Sequence, residues 1–197
     1  NFVSTVRETL TAENVKVASV SGCFPASQSF IEVKLAETAL AVSDGADEID
    51  IVLNMGKFLS GDYEAAATEI EEQIAAEKGA TVKVILETGA LKTPENIRRA
   101  TILSLFCGAH FVKTSTGKGY PGASLEAAYT MCKVLKQYYG LFGEVRGIKL
   151  SGGIRTTEDA VKYYCLIETL LGKEWLTPAY FRIGASSLVD ALRQDIM

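Results

Sequence analysis

Six times along 197 residues, a short apolar run of strand character is followed by a longer helical pattern of alternating polar and apolar faces. The runs occupy residues 15–22, 48–54, 81–88, 110–116, 146–153 and 180–186, and the helical patterns 29–42, 63–78, 94–107, 125–139, 157–170 and 187–195. Strand, helix and strand repeating at roughly thirty residues is the βαβ unit, whose crossover makes neighbouring strands parallel and sets the helices outside the sheet. The helix starts agree. Thr93-Pro94-Glu95 puts a capping hydroxyl before a proline at the first helical position, and Thr156-Thr157-Glu158-Asp159 offers a capping box after Gly152-Gly153.

Six units fit either an open doubly wound sheet or part of a (β/α)8 barrel. Side-chain polarity separates the two. On three strands an ionisable residue falls on an alternating set: Asp50 with Val52 and Asn54, Lys113 with Phe111 and Ser115, and Lys149 with Gly147 and Ser151. The opposite set, Ile49, Ile51, Leu53, Ile148 and Leu150, is apolar and suits contact with helices. Three ionisable groups directed into one space is the pattern of a barrel centre, because an open sheet would bury them in separate places. The predicted fold is therefore α/β, a (β/α)8 TIM barrel present as about six βα units, forming one domain over residues 1–197. The chain opens on a helical stripe, Phe2, Val3, Val6 and Leu10, with no strand before it, so the first two barrel strands are expected to be missing and the chain to be N-terminally truncated.

Composition narrows the function. A formal net charge of −4 without a dense Lys/Arg run argues against nucleic acid and against a membrane surface. No apolar stretch has the length of a membrane span or signal peptide. Four scattered cysteines and a single histidine give no zinc-site spacing and suit a reduced, cytoplasmic interior. A small-molecule ligand fits this balance, and nothing in it opposes a homodimer.

Lys113 and Lys149 carry the chemistry. Each lies within a segment that otherwise looks like buried parallel strand, where an ammonium is expensive. Two lysines converging in a low-dielectric pocket disfavour each other's charge, which leaves one able to attack a carbonyl and form a Schiff base. The resulting imine is an electron sink for carbon–carbon cleavage, and Asp50 is suited to move protons beside it. Lys83 shares an alternating set with Ile85 and Glu87, but a lysine at a strand's start is expected to be structural and stands outside this site. His110 is expected at the opposite end of the barrel. Glycine turns after three consecutive strands form a second constellation, since free amides and helix N-termini bind anions. It comprises Gly117, Lys118, Gly152, Gly153, Gly184, Ser186 and Ser187, expected to hold a phosphate.

The runs GADEIDIVLN (45–54), VKVILETGALKT (82–93), FVKTSTGKG (111–119), GIKLSGGIRT (147–156) and FRIGASSL (181–188) together resemble the deoxyribose-phosphate aldolases, in order and spacing, over essentially the whole chain. That resemblance implies a class I aldolase that reversibly cleaves the phosphosugar 2-deoxy-D-ribose 5-phosphate to D-glyceraldehyde 3-phosphate and acetaldehyde, without metal or cofactor. It makes Lys113 the Schiff-base lysine, Lys149 its tuning neighbour and Asp50 the proton-relay carboxylate. Members of the family begin with a strand bearing an aspartate and a second closing strand, neither found here. An open edge between first and last strands is therefore expected, with low stability and weak activity. Two other readings compete: a phosphate-binding barrel of the isomerase or transaldolase kind, and a non-catalytic barrel remnant.

Overall fold

A computed structural model describes residues 1–196. Six strands, β1 (Ala18–Val20), β2 (Glu48–Val52), β3 (Thr81–Ile85), β4 (Phe111–Lys113), β5 (Gly147–Ser151) and β6 (Phe181–Gly184), are all parallel and adjacent in chain order. Each lies inside its expected window. The helices are α1 (Val3–Thr9), α2 (Ile31–Ser43), α3 (Met55–Leu59), α4 (Tyr63–Ala75), α5 (Thr88–Leu91), α6 (Pro94–Phe106), α7 (Leu125–Phe142), α8 (Thr157–Leu171) and α9 (Leu188–Ile196). Thr93 Oγ1 accepts from the Asn96 amide at 3.2 Å and Thr156 Oγ1 from the Asp159 amide at 3.1 Å, so both expected caps form. The short elements α3, α5 and the 3-10 turn Lys173–Trp175 give too few residues for a periodic pattern and went unpredicted.

The sheet curls into a partial TIM barrel. Its curvature is visible in side chains that span it: Arg182 on β6 reaches Glu48 on β2 at 2.9 Å, and Lys149 on β5 reaches Asp50 on β2 at 2.8 Å. Among the described residues, β1 pairs in the sheet only with β2, and β6 only with β5. Between these two edges the interior is reachable, and Val20 on β1 is 43% exposed.

Alternation sorts the strands' side chains as polarity requires. Ile49, Ile51, Val82, Val84, Val112, Ile148 and Leu150 are fully buried and share one core with Ala66 and Ile70 of α4, Ala100 of α6, Met131 of α7 and Ile167 of α8. Each such Ile or Leu contributes about 1.5–3 kcal/mol by leaving water. The other face carries Glu48, Asp50, Lys83, Phe111, Lys113 and Lys149 into the barrel. Its packing depends on Gly147, where a Cβ would stand 2.3 Å from the Phe111 ring. Asn54 departs from the expected inward set. β2 ends at Val52, the alternation lapses with it, and Asn54 instead accepts from the Lys57 amide as the cap of α3 and donates to Glu69 on α4.

Candidate active site

Asp50 gathers the lysines. β2, β4 and β5 run parallel in near register, Lys113 opposite Lys149 across one ladder, so their side chains leave the same face. Lys113 Nζ and Lys149 Nζ each lie 2.8 Å from a single oxygen, Asp50 Oδ2. Lys83 Nζ, from β3, lies 2.9 Å from the other oxygen, Oδ1, and 2.7 Å from Glu48 Oε2. Arg182 closes the chain of contacts on Glu48 Oε1 at 2.9 Å. Below the cluster Phe111 forms a floor, its ring 5.9 Å from Lys83 Nζ and 5.8 Å from Arg182 Cζ.

This cluster sets four cationic side chains against two carboxylates, with Lys83 fully buried, Lys113 9% exposed and Lys149 17% exposed. Burial by itself would raise the Asp50 carboxyl, but the charges of Lys113, Lys83 and Lys149 overcome it and hold Asp50 far below the usual carboxylate range. Glu48 is likewise lowered, Lys83 and Arg182 prevailing over burial. Lys149 is pushed down, first by burial and then by the ammonium groups of Lys113 and Lys83, with Asp50 acting in opposition. The arrangement thus presents a carboxylate that stays ionised beside an amine that loses its proton more readily than an ordinary lysine. That combination can supply a nucleophilic amine and shuttle a proton between two nitrogens through one oxygen.

Lys83, expected to be structural and set outside the site, belongs to the cluster. Its sequence signal was the alternation with Ile85 and Glu87, and the sheet adds its pairing in register with Asp50. Arg182 and Glu48 were missed because a charged residue near a strand end ordinarily reaches solvent. Glu87 was missed too. At the end of β3 it adopts a left-handed conformation, φ +54°, and its half-buried carboxylate accepts from the amide and the hydroxyl of Thr116 in the turn after β4. Burial raises this carboxyl against the pull of those hydrogen bonds. A left-handed backbone costs a non-glycine residue about 1 kcal/mol or more, and here it accompanies the ordering of the KTSTGK turn.

The expected phosphate residues divide into two groups. The Gly117 amide donates to Ser115 Oγ at 2.8 Å and the Lys118 amide to Thr116 Oγ1 at 3.1 Å, so both are already engaged within their own turn. The exposed Lys118 lines a cavity of about 470 Å³ with Glu87, Lys92 and Tyr120, over the C-terminal ends of the strands. The turns after β5 and β6 lie side by side, Ser151 being in register with Gly184. Among the described residues, the amides of Gly152, Gly153, Ser186 and Ser187 have no protein acceptor. Amides without an acceptor in such turns are available to an anion. Arg155 is exposed, and His110, its ring Nδ1 accepting from the Val82 amide at 3.0 Å, lies at the opposite end of the strands, where burial lowers it.

A second buried ion pair stands outside the barrel. Lys34 on α2, fully buried, donates to Glu69 on α4 at 2.7 Å and to Ser27 at 3.0 Å. Lys57 and Asn54 complete the group, which ties the loops after β1 and β2 to the helices beside a cavity of about 590 Å³. Among the described residues, no group of three or more His, Cys, Asp or Glu side chains is placed to hold a metal ion. No helix among them is long and apolar enough to cross a membrane.

Residues 8–169 match the family model of the DeoC/LacD family aldolases. A Homo sapiens protein named deoxyribose-phosphate aldolase is 40% identical over 183 residues, covering 93% of this chain and 58% of that protein. Its Mus musculus counterpart of the same name is 39% identical over the same shares. The tetrameric deoxyribose phosphate aldolase structure from Aeropyrum pernix superposes with a TM-score of 0.75 at 29% identity, covering 99% of this chain and 72% of that one. The chain spans 58% of the length of these curated relatives.

Proposed function

The chain belongs to the DeoC/LacD family of aldolases, and from that premise we propose that it works as a class I aldolase on 2-deoxy-D-ribose 5-phosphate through a Schiff base at Lys113. The observation that carries the reading is the shared oxygen: Lys113 Nζ and Lys149 Nζ both lie 2.8 Å from Asp50 Oδ2. In the neutral state, the Lys113 amine adds to the aldehyde carbon of the open-chain sugar and, with loss of water, leaves a protonated imine. Removal of the proton from the sugar's C3 hydroxyl then breaks the C2–C3 bond, releasing D-glyceraldehyde 3-phosphate while the electron pair enters the imine as an enamine. Protonation of the enamine carbon and addition of water free acetaldehyde and regenerate the amine.

Asp50 and Lys149 serve the proton steps. Asp50, its carboxyl held far below the usual carboxylate range by the lysines, accepts from both nitrogens and relays protons between them, and Lys149 supplies and recovers the proton at the enamine carbon. The resemblance of FVKTSTGKG to the family motif gives Lys113 the nucleophile's role, and its side chain is the better buried of the two. The unengaged amides of Gly152, Gly153, Ser186 and Ser187 support a phosphate subsite, with Gly184 giving the close approach between β5 and β6; Lys118 contributes charge from the mouth and Gly117 shapes its turn.

The reading extends to deoxyribonucleotide catabolism in the cytoplasm, which the four unpaired cysteines support, and to a homodimer, supported by the exposed Phe106, Leu141 and Phe142. Incubating the purified chain with 2-deoxy-D-ribose 5-phosphate and following acetaldehyde release tests it. Release from the wild-type chain and none from Lys113→Met is the expected result. Equal release from both would refute it.

A further inference from the structure

Asp50 has two oxygens, and the fold uses them differently. Oδ2 receives Lys113 and Lys149, whereas Oδ1 receives Lys83 alone, at 2.9 Å. Lys83 could not fill this role unless it were itself held. It is fully buried, its Nζ is bridged to Glu48 Oε2 at 2.7 Å, and Glu48 is held from across the barrel by Arg182. Its Nζ stands 5.9 Å from the centre of the Phe111 ring, which occupies the place a side chain at position 147 would otherwise take.

We propose that Lys83 is a positioning residue for the lysine pair: clamped between Glu48 and Asp50 Oδ1, it turns Asp50 so that Oδ2 alone faces Lys113 and Lys149, and its charge favours an uncharged amine there. This deepens the Schiff-base reading and rests on it for catalytic meaning, though not for the electrostatic effect itself. An isolated buried ammonium is costly, and a fold that needed only a filled barrel would place an apolar side chain here at less expense. Retaining Lys83 makes physical sense if its charge acts on something. The charged and titratable groups around it are Glu48 and Asp50 on β2, His110 just before β4, Lys113 on β4, Lys149 on β5 and Arg182 on β6. Burial and the Lys83 charge together disfavour the cation at both His110 and Lys149, and of these two Lys149 is the one that shares Asp50 with Lys113.

The effect has a sign that separates it from a packing role. Removing the Lys83 charge makes ammonium at Lys149 easier to hold, so the amine there becomes reactive only at higher pH. Removing the Glu48 charge does the reverse. A charge within the same buried cluster moves a neighbour's midpoint by about one to two pH units. Structural damage alone would expose the cluster in both variants and shift both toward ordinary lysine behaviour, in the same direction.

The test is the pH dependence of labelling by a small acylating reagent such as acetic anhydride, read at Lys149 and Lys113 by peptide mapping, in the wild type, Lys83→Met, Lys83→Arg and Glu48→Gln. The expected outcome is a Lys149 midpoint about one unit or more higher in Lys83→Met, near wild type in Lys83→Arg, and lower in Glu48→Gln. An unmoved midpoint in Lys83→Met, or a Glu48→Gln shift upward, overturns the proposal; if Lys83→Met does not fold, the direction of the Glu48→Gln shift decides it. Borohydride trapping of acetaldehyde on the same samples is read separately. Shifted midpoints without any wild-type adduct would sink the Schiff-base reading and leave the role of Lys83 standing.

Discussion

Lys149 Nζ lies 2.8 Å from Asp50 Oδ2, across the barrel interior and 99 residues apart in sequence. The contact joins the second described strand to the fifth, so it exists only when the sheet has curled. Asp50 is therefore both the centre of the proposed chemistry and a sensor of correct folding. Asp50→Asn keeps the shape and removes the charge. It is expected to lower kcat by about a hundredfold to ten-thousandfold, as loss of a proton-transfer group does. Turnover of 2-deoxy-D-ribose 5-phosphate by the purified variant checks this; a loss of less than tenfold would mean that Asp50 has no part in proton transfer.

Acid should find the same cluster. Asp50 and Glu48 both titrate below their ordinary values of 3.8 and 4.5. A carboxyl depressed in the folded state adds stability that is fully present above its unfolded value and lost as pH falls through the folded one. Thermal stability is expected to hold above about pH 5 and to decline as pH drops below about 4, with a shallower decline in Asp50→Asn. Lys149 works in the opposite range, since its penalty as an ammonium is relieved only as pH rises toward its ordinary 10.5. A Tm series from pH 3 to pH 7 gives the comparison, and identical slopes for the two proteins would contradict it.

Gly147 and Phe111 make a packing prediction independent of chemistry. A Cβ at position 147 would overlap the ring at 2.3 Å, so Gly147→Ala should destabilise by about 1–3 kcal/mol through overpacking. Pairing it with Phe111→Leu removes the obstacle, and the double variant is expected to be more stable than the sum of the two single effects. Denaturant midpoints for the four proteins of the cycle measure the coupling; strict additivity would place the ring elsewhere.

The turn after β5 offers a handle on substrate choice. A side chain at Gly153 meets nothing within 4 Å, and its φ of +86° is one that Asp tolerates better than most residues. Gly153→Asp sets a negative charge among the unengaged amides and is expected to raise KM for the phosphorylated sugar at least about tenfold while kcat for unphosphorylated 2-deoxy-D-ribose stays within about twofold. Equal effects on both substrates would place the phosphate elsewhere.

Much of this architecture was legible because it follows from period. Alternation along GADEIDIVLN, FVKTSTGKG and GIKLSGGIRT placed Ile49, Ile51, Ile148 and Leu150 against helices and left Asp50, Lys113 and Lys149 on the opposite face, as the core and the cluster show. Where the period stops, local pattern no longer fixes a side chain's direction. Asn54 lies two residues past the end of β2, and a capping hydrogen bond rather than a pleat decides its direction. Lys83 obeyed the period but was discounted on the habit of strand-start lysines, and only its partners Glu48 and Asp50, brought together by register, show why it stays inside. Lys34 and Glu69 belong to two different helices whose packing no local pattern reveals.

The most direct measurement is borohydride reduction of the full chain in the presence of acetaldehyde, followed by peptide mapping. The account predicts one ethyl group, on Lys113, with none when Lys113 is replaced by Met. An ethyl group on Lys149 instead, or modification spread over the surface lysines, would contradict it.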